Sequence, residues 1–361
     1  MGSASCPWCW NGADAGNSGV MARRTLLAGG LAGGLAGGIA GGLASLLSAR
    51  LAAAEMPQGA TAPGIRLAPD QDAMVQVPGG RIYVRVNGAL QGGRPPVLFI
   101  HGGPGSAHWG WLNATALADT RAVILYDQLD CGRSDAPGDP ANWTVPRFLS
   151  EIEAIRAHFG IARWHVVGGS WGGTLGLEYG ATRPAALSSL LLQSPLVSTA
   201  VWLQDAARLK AGMPADVRDL LDRCDTPGAA PEAQCTAATD AFYARHVRQK
   251  RPPAAIAAYR DALPLPFAAA PYNHMWGRAE FTSTGTLKDY DGRPLLARLD
   301  AARTLFVAGA DDEARPETVR GFARGIGAGF AEIGQAAHSI MNDNPSAYLA
   351  VLRDWFSRHD T

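Results

Sequence analysis

The chain has 361 residues, with 32 Lys and Arg balanced by 32 Asp and Glu, so its formal net charge is zero. This balance excludes a strongly basic nucleic-acid-binding surface and gives no electrostatic reason to expect binding to an anionic membrane. A hydrophobic content of 47% is sufficient for one large domain or two moderate ones.

Residues 1–54 have the features of an export signal rather than of a folded domain. Arg23–Arg24 follow Met21, and a weakly hydrophobic Leu/Ala/Gly stretch then runs to a small-x-small site ending at Ala54. Paired arginines before such a stretch are typical of twin-arginine signals. We expect translation from Met21, cleavage after Ala54, a periplasmic or secreted product and no stable membrane association after cleavage. Glycine at every fourth position favours the alternative, a retained membrane anchor.

The five cysteines fall into three groups. Cys6 and Cys9 precede Met21, so an upstream choice of start codon explains them better than a metal or redox site. Cys131 lies in a core segment. Cys224 and Cys235 flank a Pro/Gly/Ala loop and could form a local disulfide in an oxidising compartment; two free thiols are the alternative.

From about residue 74, strand-like and helical segments alternate. MVQVPGGRIYVRVNG predicts two strands around a Gly-Gly turn, and the apolar runs PVLFIHG and AVILYDQ predict strands buried on both faces. VPRFLSEIEAIRAHFG predicts an amphipathic helix ending at Gly160. A strand (RWHVVGGS), a helix (WGGTLGLEYGATRP) and a strand (LSSLLLQSP) follow. This alternation predicts an α/β fold with a mostly parallel sheet flanked by helices.

Residues 197–295 differ in character from the segments on either side. They are rich in Ala, Arg and Pro, contain helical stretches and show no clear strand, which predicts an inserted helical cap between two parts of the core, 55–196 and 296–361. After the insertion come a strand (TLFVAGA), a helix near 316–324, a short strand (GFAEIG) and a terminal helix (PSAYLAVLRDWFSRH).

The strongest chemical signal is VVGGSWGGTLG, in which Gly168, Ser170 and Gly172 form a G-x-S-x-G motif between a buried strand and a helix. This context is required for a nucleophile elbow, a sharp turn that exposes the serine at the carboxyl end of the sheet. The alternative, an incidental serine in a glycine-rich turn, does not account for the flanking strand and helix.

A serine nucleophile needs a histidine base and a carboxylate that orients it, and in this fold they follow the serine in the order acid, then histidine. The turn after TLFVAGA offers Asp312, the third residue after Gly309, with Asp311 as the alternative. The loop after the last strand offers His338. The sequence therefore predicts a triad of Ser170, Asp312 and His338.

The glycine loop HGGPG (101–105) follows a predicted buried strand. A phosphate-binding loop would need a Lys at fixed spacing, and none follows. With a serine nucleophile, such a loop donates one N–H to the oxyanion hole, and the residue after the nucleophile donates the other. We expect Gly103 and Trp171 to be these donors. The mechanism needs no metal or cofactor, and no clustered ligand set suggests one.

HGGPG (101–105), YDQLDCGRSD (126–135) and GGSWGG (168–173) together resemble the proline iminopeptidase family of α/β-hydrolases, which includes tricorn-interacting-factor-like aminopeptidases. The resemblance runs from about residue 75 to the carboxyl terminus. One departure is Leu129–Asp130, where the family more usually has Arg-Gly or Phe-Gly, and it leaves the conformation of that turn open.

The resemblance implies a serine aminopeptidase that releases an N-terminal residue, preferentially proline, from small peptides or amino-acid amides. A desolvated substrate ammonium needs carboxylate partners. Glu280, within MWGRAEFTSTGTLKDYD, matches the family's motif, and Asp240 is the candidate for a second acid. Trp276, Phe281 and Trp109 are candidate walls for a proline ring, although all three could equally be core residues.

Two other functions are compatible with parts of this pattern. An amino-acid amide or ester hydrolase would use the same triad on the same scaffold. A non-catalytic binding protein of this fold would typically lack a triad member, whereas all three positions are filled here.

Overall fold

The computed structural model describes residues 62–226 and 228–360. The expected export signal, with Cys6 and Cys9, lies outside these residues. Within the described residues, eight strands form one sheet in the order β1-β2-β4-β3-β5-β6-β7-β8. The strands are β1 Gln71–Val77, β2 Gly80–Asn87, β3 Val97–Ile100, β4 Val123–Tyr126, β5 Trp164–Gly169, β6 Leu187–Gln193, β7 Thr304–Gly309 and β8 Gly329–Ile333. Antiparallel pairing joins β1 to β2 and β2 to β4, and all later pairings are parallel.

The helices lie on both faces of this sheet and in the segment between β6 and β7. They are α1 Val145–His158, α2 Trp171–Ala181, α3 Thr199–Ala211, α4 Ala215–Cys224, α5 Glu232–His246, α6 Ala254–Asp261, α7 Ala269–Met275, α8 Arg293–Leu296, α9 Pro316–Ile326, α10 Ile340–Asp343 and α11 Pro345–Ser357. A 3-10 segment spans His108–Asp119. The predicted fold class, a mostly parallel sheet flanked by helices, is confirmed.

The central strands are buried on both faces, as their continuous apolar runs predict. In β3, Leu98 and Ile100 belong to the core layer that also contains residues of α1, α2 and α9, whereas Val97 and Phe99 belong to the layer that contains the 3-10 segment and α11. Successive side chains of a strand point to opposite faces, so a strand between two helical layers must be apolar at every position. Each fully buried Leu, Ile or Phe contributes about 1.5–3 kcal/mol to this double core.

Helix boundaries follow the local sequence signals. Pro345 opens α11, and the side chain of Asn344 accepts a hydrogen bond from the Ala347 N–H (3.3 Å). A proline at the first helical position costs no hydrogen bond, and an asparagine cap satisfies an N–H that has no intrahelical acceptor. Just after the carboxyl end of α1, Gly160 adopts φ +61, a left-handed conformation that few other residues tolerate.

The segment between β6 and β7 consists of α3–α8 and, in its described residues, contains no strand. It has a small core of its own around Leu221, Phe242 and Tyr243. Cys224 and Cys235 are joined by a disulfide, with 5.6 Å between their Cα atoms. Within the part of the chain that the structure describes, no helix combines the length and apolar character needed to span a bilayer.

The topology brings four loops to one edge of the sheet. The residues that directly follow β3, β5, β7 and β8 all leave the sheet at the carboxyl ends of parallel strands. In open α/β sheets this edge is where ligands bind. The predicted glycine loop, serine, acid and histidine follow these four strands in that order.

Candidate active site

Ser170 lies in a strained turn between β5 and α2. Its backbone adopts φ +57 and ψ −122, a combination that L-residues rarely occupy. The two flanking glycines are required by close packing: a Cβ on Gly168 would collide with the Gly172 carbonyl oxygen, and a Cβ on Gly172 would collide with the Ile100 carbonyl oxygen. The turn therefore holds the Ser170 hydroxyl out at the carboxyl edge of the sheet, where it lines a cleft.

Asp312 and His338 form a fully buried pair beside that serine. The His338 Nδ1 lies 2.7 Å from Asp312 Oδ1, which also accepts a hydrogen bond from the Ala314 N–H (2.9 Å). The other oxygen, Oδ2, accepts hydrogen bonds from the Gly309 N–H (3.1 Å) and the Ser194 hydroxyl (2.5 Å). Because Asp312 engages Nδ1, Nε2 is the ring nitrogen left to exchange a proton with Ser170, which lines the same cleft.

The alternative acid, Asp311, points elsewhere. Its side chain is exposed and accepts a hydrogen bond from the Gln249 side-chain amide (2.9 Å). The structure therefore brings together the three residues of the preferred triad and leaves Asp311 outside it.

Ser194 is a supporting residue that the sequence analysis did not single out. It is fully buried at φ +47 and follows β6. We expect Ser194→Ala to lower kcat by roughly 10- to 100-fold, because a hydrogen bond to a charged group is worth about 1.5–3 kcal/mol. Steady-state kinetics, with thermal unfolding as the control for folding, measure this effect. An unchanged kcat would show that the Gly309 and Ala314 N–H groups hold Asp312 by themselves.

The glycine loop lies against the nucleophile. A Cβ on Gly102 would come within 3.0 Å of the Ser170 Cβ, and Gly103 adopts φ +112. Trp171 is the first residue of α2, where backbone N–H groups have no intrahelical acceptor. These positions are consistent with the prediction that Gly103 and Trp171 donate to the oxyanion.

Gln128 holds the two sides of this predicted oxyanion hole together. Its side-chain oxygen accepts from Trp171 Nε1 (3.0 Å), and its side-chain amide donates to the His101 carbonyl (3.0 Å). The backbone N–H of Gln128 donates to His101 Nε2 (3.0 Å), and burial lowers the pKa of His101 to about 4, so the imidazole stays neutral and accepts. The YDQLD segment thus has a positioning role that its sequence alone did not reveal.

The departure from the family pattern at Leu129–Asp130 has a clear structural solution. Asp130 adopts φ +67, a conformation that Asp tolerates better than most residues. Its carboxylate accepts hydrogen bonds from the Gly138 N–H (2.7 Å) and from Trp143 Nε1 (2.8 Å). The turn that glycine usually permits is here stabilised by the side chain of an aspartate.

Two buried carboxylates lie close to the histidine. Glu280, in the helical insertion, is 3% exposed and accepts a hydrogen bond from the Tyr272 hydroxyl (3.0 Å). Glu313, next to Asp312, is 2% exposed, with Oε1 3.8 Å from His338 Nε2. Burial raises the pKa of Glu280 to about 7, and burial together with the Glu280 and Asp312 charges raises the pKa of Glu313 well above its usual value. Two carboxyl groups buried next to each other favour the binding of a cation, which stabilises their ionised forms.

Asp240, predicted as the second acid, is not part of this pair. Its side chain is 38% exposed on α5 and lies 3.6 Å from Arg248. The carboxylate that interacts with Glu280 is Glu313. The sequence does contain a signal for Glu313. Three acids stand in a row at Asp311-Asp312-Glu313, and a triad uses only one of them.

The cleft has a volume of about 820 Å³ including its open mouth. Ser170 and His338 line it, and Trp109, Trp111 and Ile256 contribute apolar lining. Of the three aromatic residues considered for a proline ring, Trp109 lines this cleft. Trp276 packs against Trp202, whose ring meets His338 edge to face, and Phe281 packs on Phe242; neither Trp276 nor Phe281 lines the cleft.

A strained serine after a strand, a buried Asp–His pair and a glycine loop at one sheet edge define a serine hydrolase of the α/β class. The family model for the α/β-hydrolase fold matches residues 95–345.

Individual relatives narrow this class. The chain is 34% identical to a proline iminopeptidase of Heyndrickxia coagulans, over 79% of this chain and 98% of that one, and 32% identical to one of Levilactobacillus brevis, over 77% and 93%. The crystal structure of the Mycobacterium smegmatis proline iminopeptidase superposes with a TM-score of 0.72 at 33% identity, covering 80% of this chain and 99% of that one. The crystal structure of VinJ superposes with a TM-score of 0.75 at 31% identity, covering 81% of this chain and 100% of that one. The chain belongs to the proline iminopeptidase family of α/β-hydrolases.

Proposed function

We propose that the protein is a serine aminopeptidase that releases an N-terminal residue, preferentially proline, from small peptides or amino-acid amides. The observation that carries this assignment is the Glu280–Glu313 pair, two carboxylates buried next to the catalytic histidine. Burying carboxylates is unfavourable unless a cation joins them. A protonated N-terminal amine next to the scissile carbonyl supplies that cation, whereas a plain acyl ester does not.

The reaction follows from the arrangement of the triad. Ser170 Oγ attacks the carbonyl carbon of the N-terminal residue while His338 Nε2 takes its proton, and Asp312 stabilises the imidazolium that forms. The oxyanion develops next to the N–H groups of Gly103 and Trp171. His338 then gives its proton to the leaving amine, and the C–N bond breaks. Water hydrolyses the acyl-enzyme by the same route.

The direct test uses matched arylamides of proline and other amino acids, each with a free and an N-acetylated amine. We expect cleavage of the free-amine substrates, with proline preferred, and little cleavage of the acetylated ones. Equal cleavage of both forms would reject the aminopeptidase function and leave an amide or ester hydrolase with the same triad.

The raised pKa of Glu280, about 7, predicts a pH dependence of amine recognition. The carboxylate attracts an ammonium when it is ionised, so affinity for free-amine substrates should rise as the pH rises through about 7. The quantity to measure is the kcat/KM for proline arylamide divided by that for an uncharged ester, because the ratio cancels the titration of the triad. The measurements are made below about pH 8, where the α-amine of the substrate begins to lose its proton. A ratio that is flat or falls between pH 5.5 and 7.5 would contradict the assignment.

We also propose that the protein is exported to the periplasm or beyond by the twin-arginine signal in residues 1–54. The Cys224–Cys235 disulfide supports this proposal, because structural disulfides persist in oxidising compartments. We expect the mature protein, isolated from the periplasmic fraction or the medium, to begin at Glu55. Recovery of the uncleaved chain in the membrane fraction would instead support the anchor.

A further inference from the structure

The cleft that contains Ser170 and His338 has two cationic side chains in its lining. Its charged lining residues are Arg248 and Lys250, and no Asp or Glu lines it within the described chain. Glu280 and Glu313 are absent from that lining although they interact with His338. The charged side chains that a ligand in the cleft meets beside Ser170 are therefore Arg248 and Lys250, not the two acids.

The two cationic side chains differ in the groups that surround their charge. The Arg248 guanidinium is buried, lies over the Tyr243 ring and is 3.6 Å from Asp240, and its charge also stabilises the ionised form of Glu313. The Lys250 side chain is half-buried, and no carboxylate within residues 62–226 or 228–360 forms an ion pair with its ammonium group. Lys250 is thus the cation available to a ligand in the cleft.

The backbone of Lys250 is fixed relative to the catalytic histidine. Its N–H donates to Asp343 (3.0 Å), and its carbonyl accepts from the Asn342 side chain (2.6 Å). Three residues earlier, the Val247 carbonyl accepts from the Ser339 N–H (2.7 Å). The segment 247–250 is therefore held along the loop that follows His338, which fixes the main chain from which the lysine side chain extends.

We propose that Lys250 binds the free carboxylate of a short peptide whose leaving group lies in this cleft, so that dipeptides are the preferred substrates. This inference rests on the proposed aminopeptidase function. A dipeptide is a zwitterion: its ammonium meets the Glu280–Glu313 pair, its carbonyl meets Ser170, and its carboxylate lies one residue, about 3.6 Å of chain, further along. Lys250 lines the same cleft as Ser170, and Glu280 and Glu313 interact with His338 beside it.

The test compares Pro-Gly with its C-terminal amide, Pro-Gly-NH2, in the wild type and in Lys250→Gln. We expect the wild type to favour the acid by about fivefold or more in kcat/KM, as measured for partly exposed charge pairs. Lys250→Gln should bring this preference close to one, Lys250→Glu should reverse it, and Lys250→Arg should retain most of it. These substitutions keep the backbone hydrogen bonds that fix the segment.

Lys288→Gln is the matched control, because Lys288 is exposed and pairs with Asp289 away from the cleft; its acid preference should equal that of the wild type. An acid preference that is absent from the wild type, or unchanged in Lys250→Gln, would overturn the carboxylate site while leaving the aminopeptidase function intact. Failure to cleave either peptide, with ester hydrolysis retained, would overturn both.

Discussion

Replacing Ser170 by glycine is expected to abolish turnover and, at the same time, to stabilise the fold. The loss of the nucleophile should lower kcat by roughly 10⁴-fold or more, since what remains is catalysis by the oxyanion hole and by binding alone. The gain in stability arises because the φ +57 and ψ −122 of this residue are strained for any side chain and favourable for glycine. Relief of such strain is worth about 1–3 kcal/mol.

Ser170→Ala separates the two effects. It removes the hydroxyl but keeps the Cβ, so kcat should fall as far as in the glycine variant while the free energy of unfolding stays near that of the wild type. Turnover of proline arylamide and denaturant unfolding monitored by tryptophan fluorescence measure both quantities. If the glycine and alanine variants had equal free energies of unfolding, the turn would carry no strain. If either variant retained substantial kcat, Ser170 would not be the nucleophile.

Replacing Glu280 by glutamine is expected to remove the preference for a free amine. Breaking a buried charge pair by removing one partner costs about 3 kcal/mol, so kcat/KM for proline arylamide should fall by roughly 10²-fold. Hydrolysis of an uncharged ester should change little, because the triad is untouched. Glu313→Gln should act in the same direction. The stability of Glu280→Gln should equal or exceed that of the wild type, since burial already disfavours the charged carboxylate.

Asp240→Asn distinguishes the two candidates for the second acid. Asp240 is partly exposed beside Arg248, so we expect its substitution to change amine selectivity far less than Glu313→Gln does. A fall of 10²-fold in Asp240→Asn with none in Glu313→Gln would restore the assignment made from the sequence. Equal losses of ester and arylamide hydrolysis in Glu280→Gln would show that Glu280 supports the triad rather than the amine.

Local signals in the sequence were sufficient to predict the sheet, and they also place the predicted triad residues after the carboxyl ends of its strands. The strands β3, β4 and β5 are apolar at nearly every position, and this pattern has few other interpretations in an α/β chain. Ser170 is marked by glycines that the turn itself requires. Asp312 and His338 follow from chain order, because each must come directly after a strand end in this fold.

The residues that the sequence did not reveal act through space rather than through local pattern. Glu313 gains its role because the helical insertion brings Glu280 to it, and the path of that insertion cannot be inferred from helical periodicity. Gln128 and Ser194 act by hydrogen bonds to residues 43 and 118 positions away. Asp240 is an acid of a predicted helix, and the sequence does not give the orientation of that helix.

One carbonyl group connects the helical insertion to the reaction centre. The His246 carbonyl, at the end of α5, accepts hydrogen bonds from the N–H groups of both Glu313 (3.1 Å) and His338 (3.2 Å). Lifting this part of the insertion would break both bonds and displace the base and an amine-binding acid together. The end of α5 and the reaction centre are therefore coupled, so a substitution that shifts this end of the insertion should alter the positions of His338 and Glu313 at the same time.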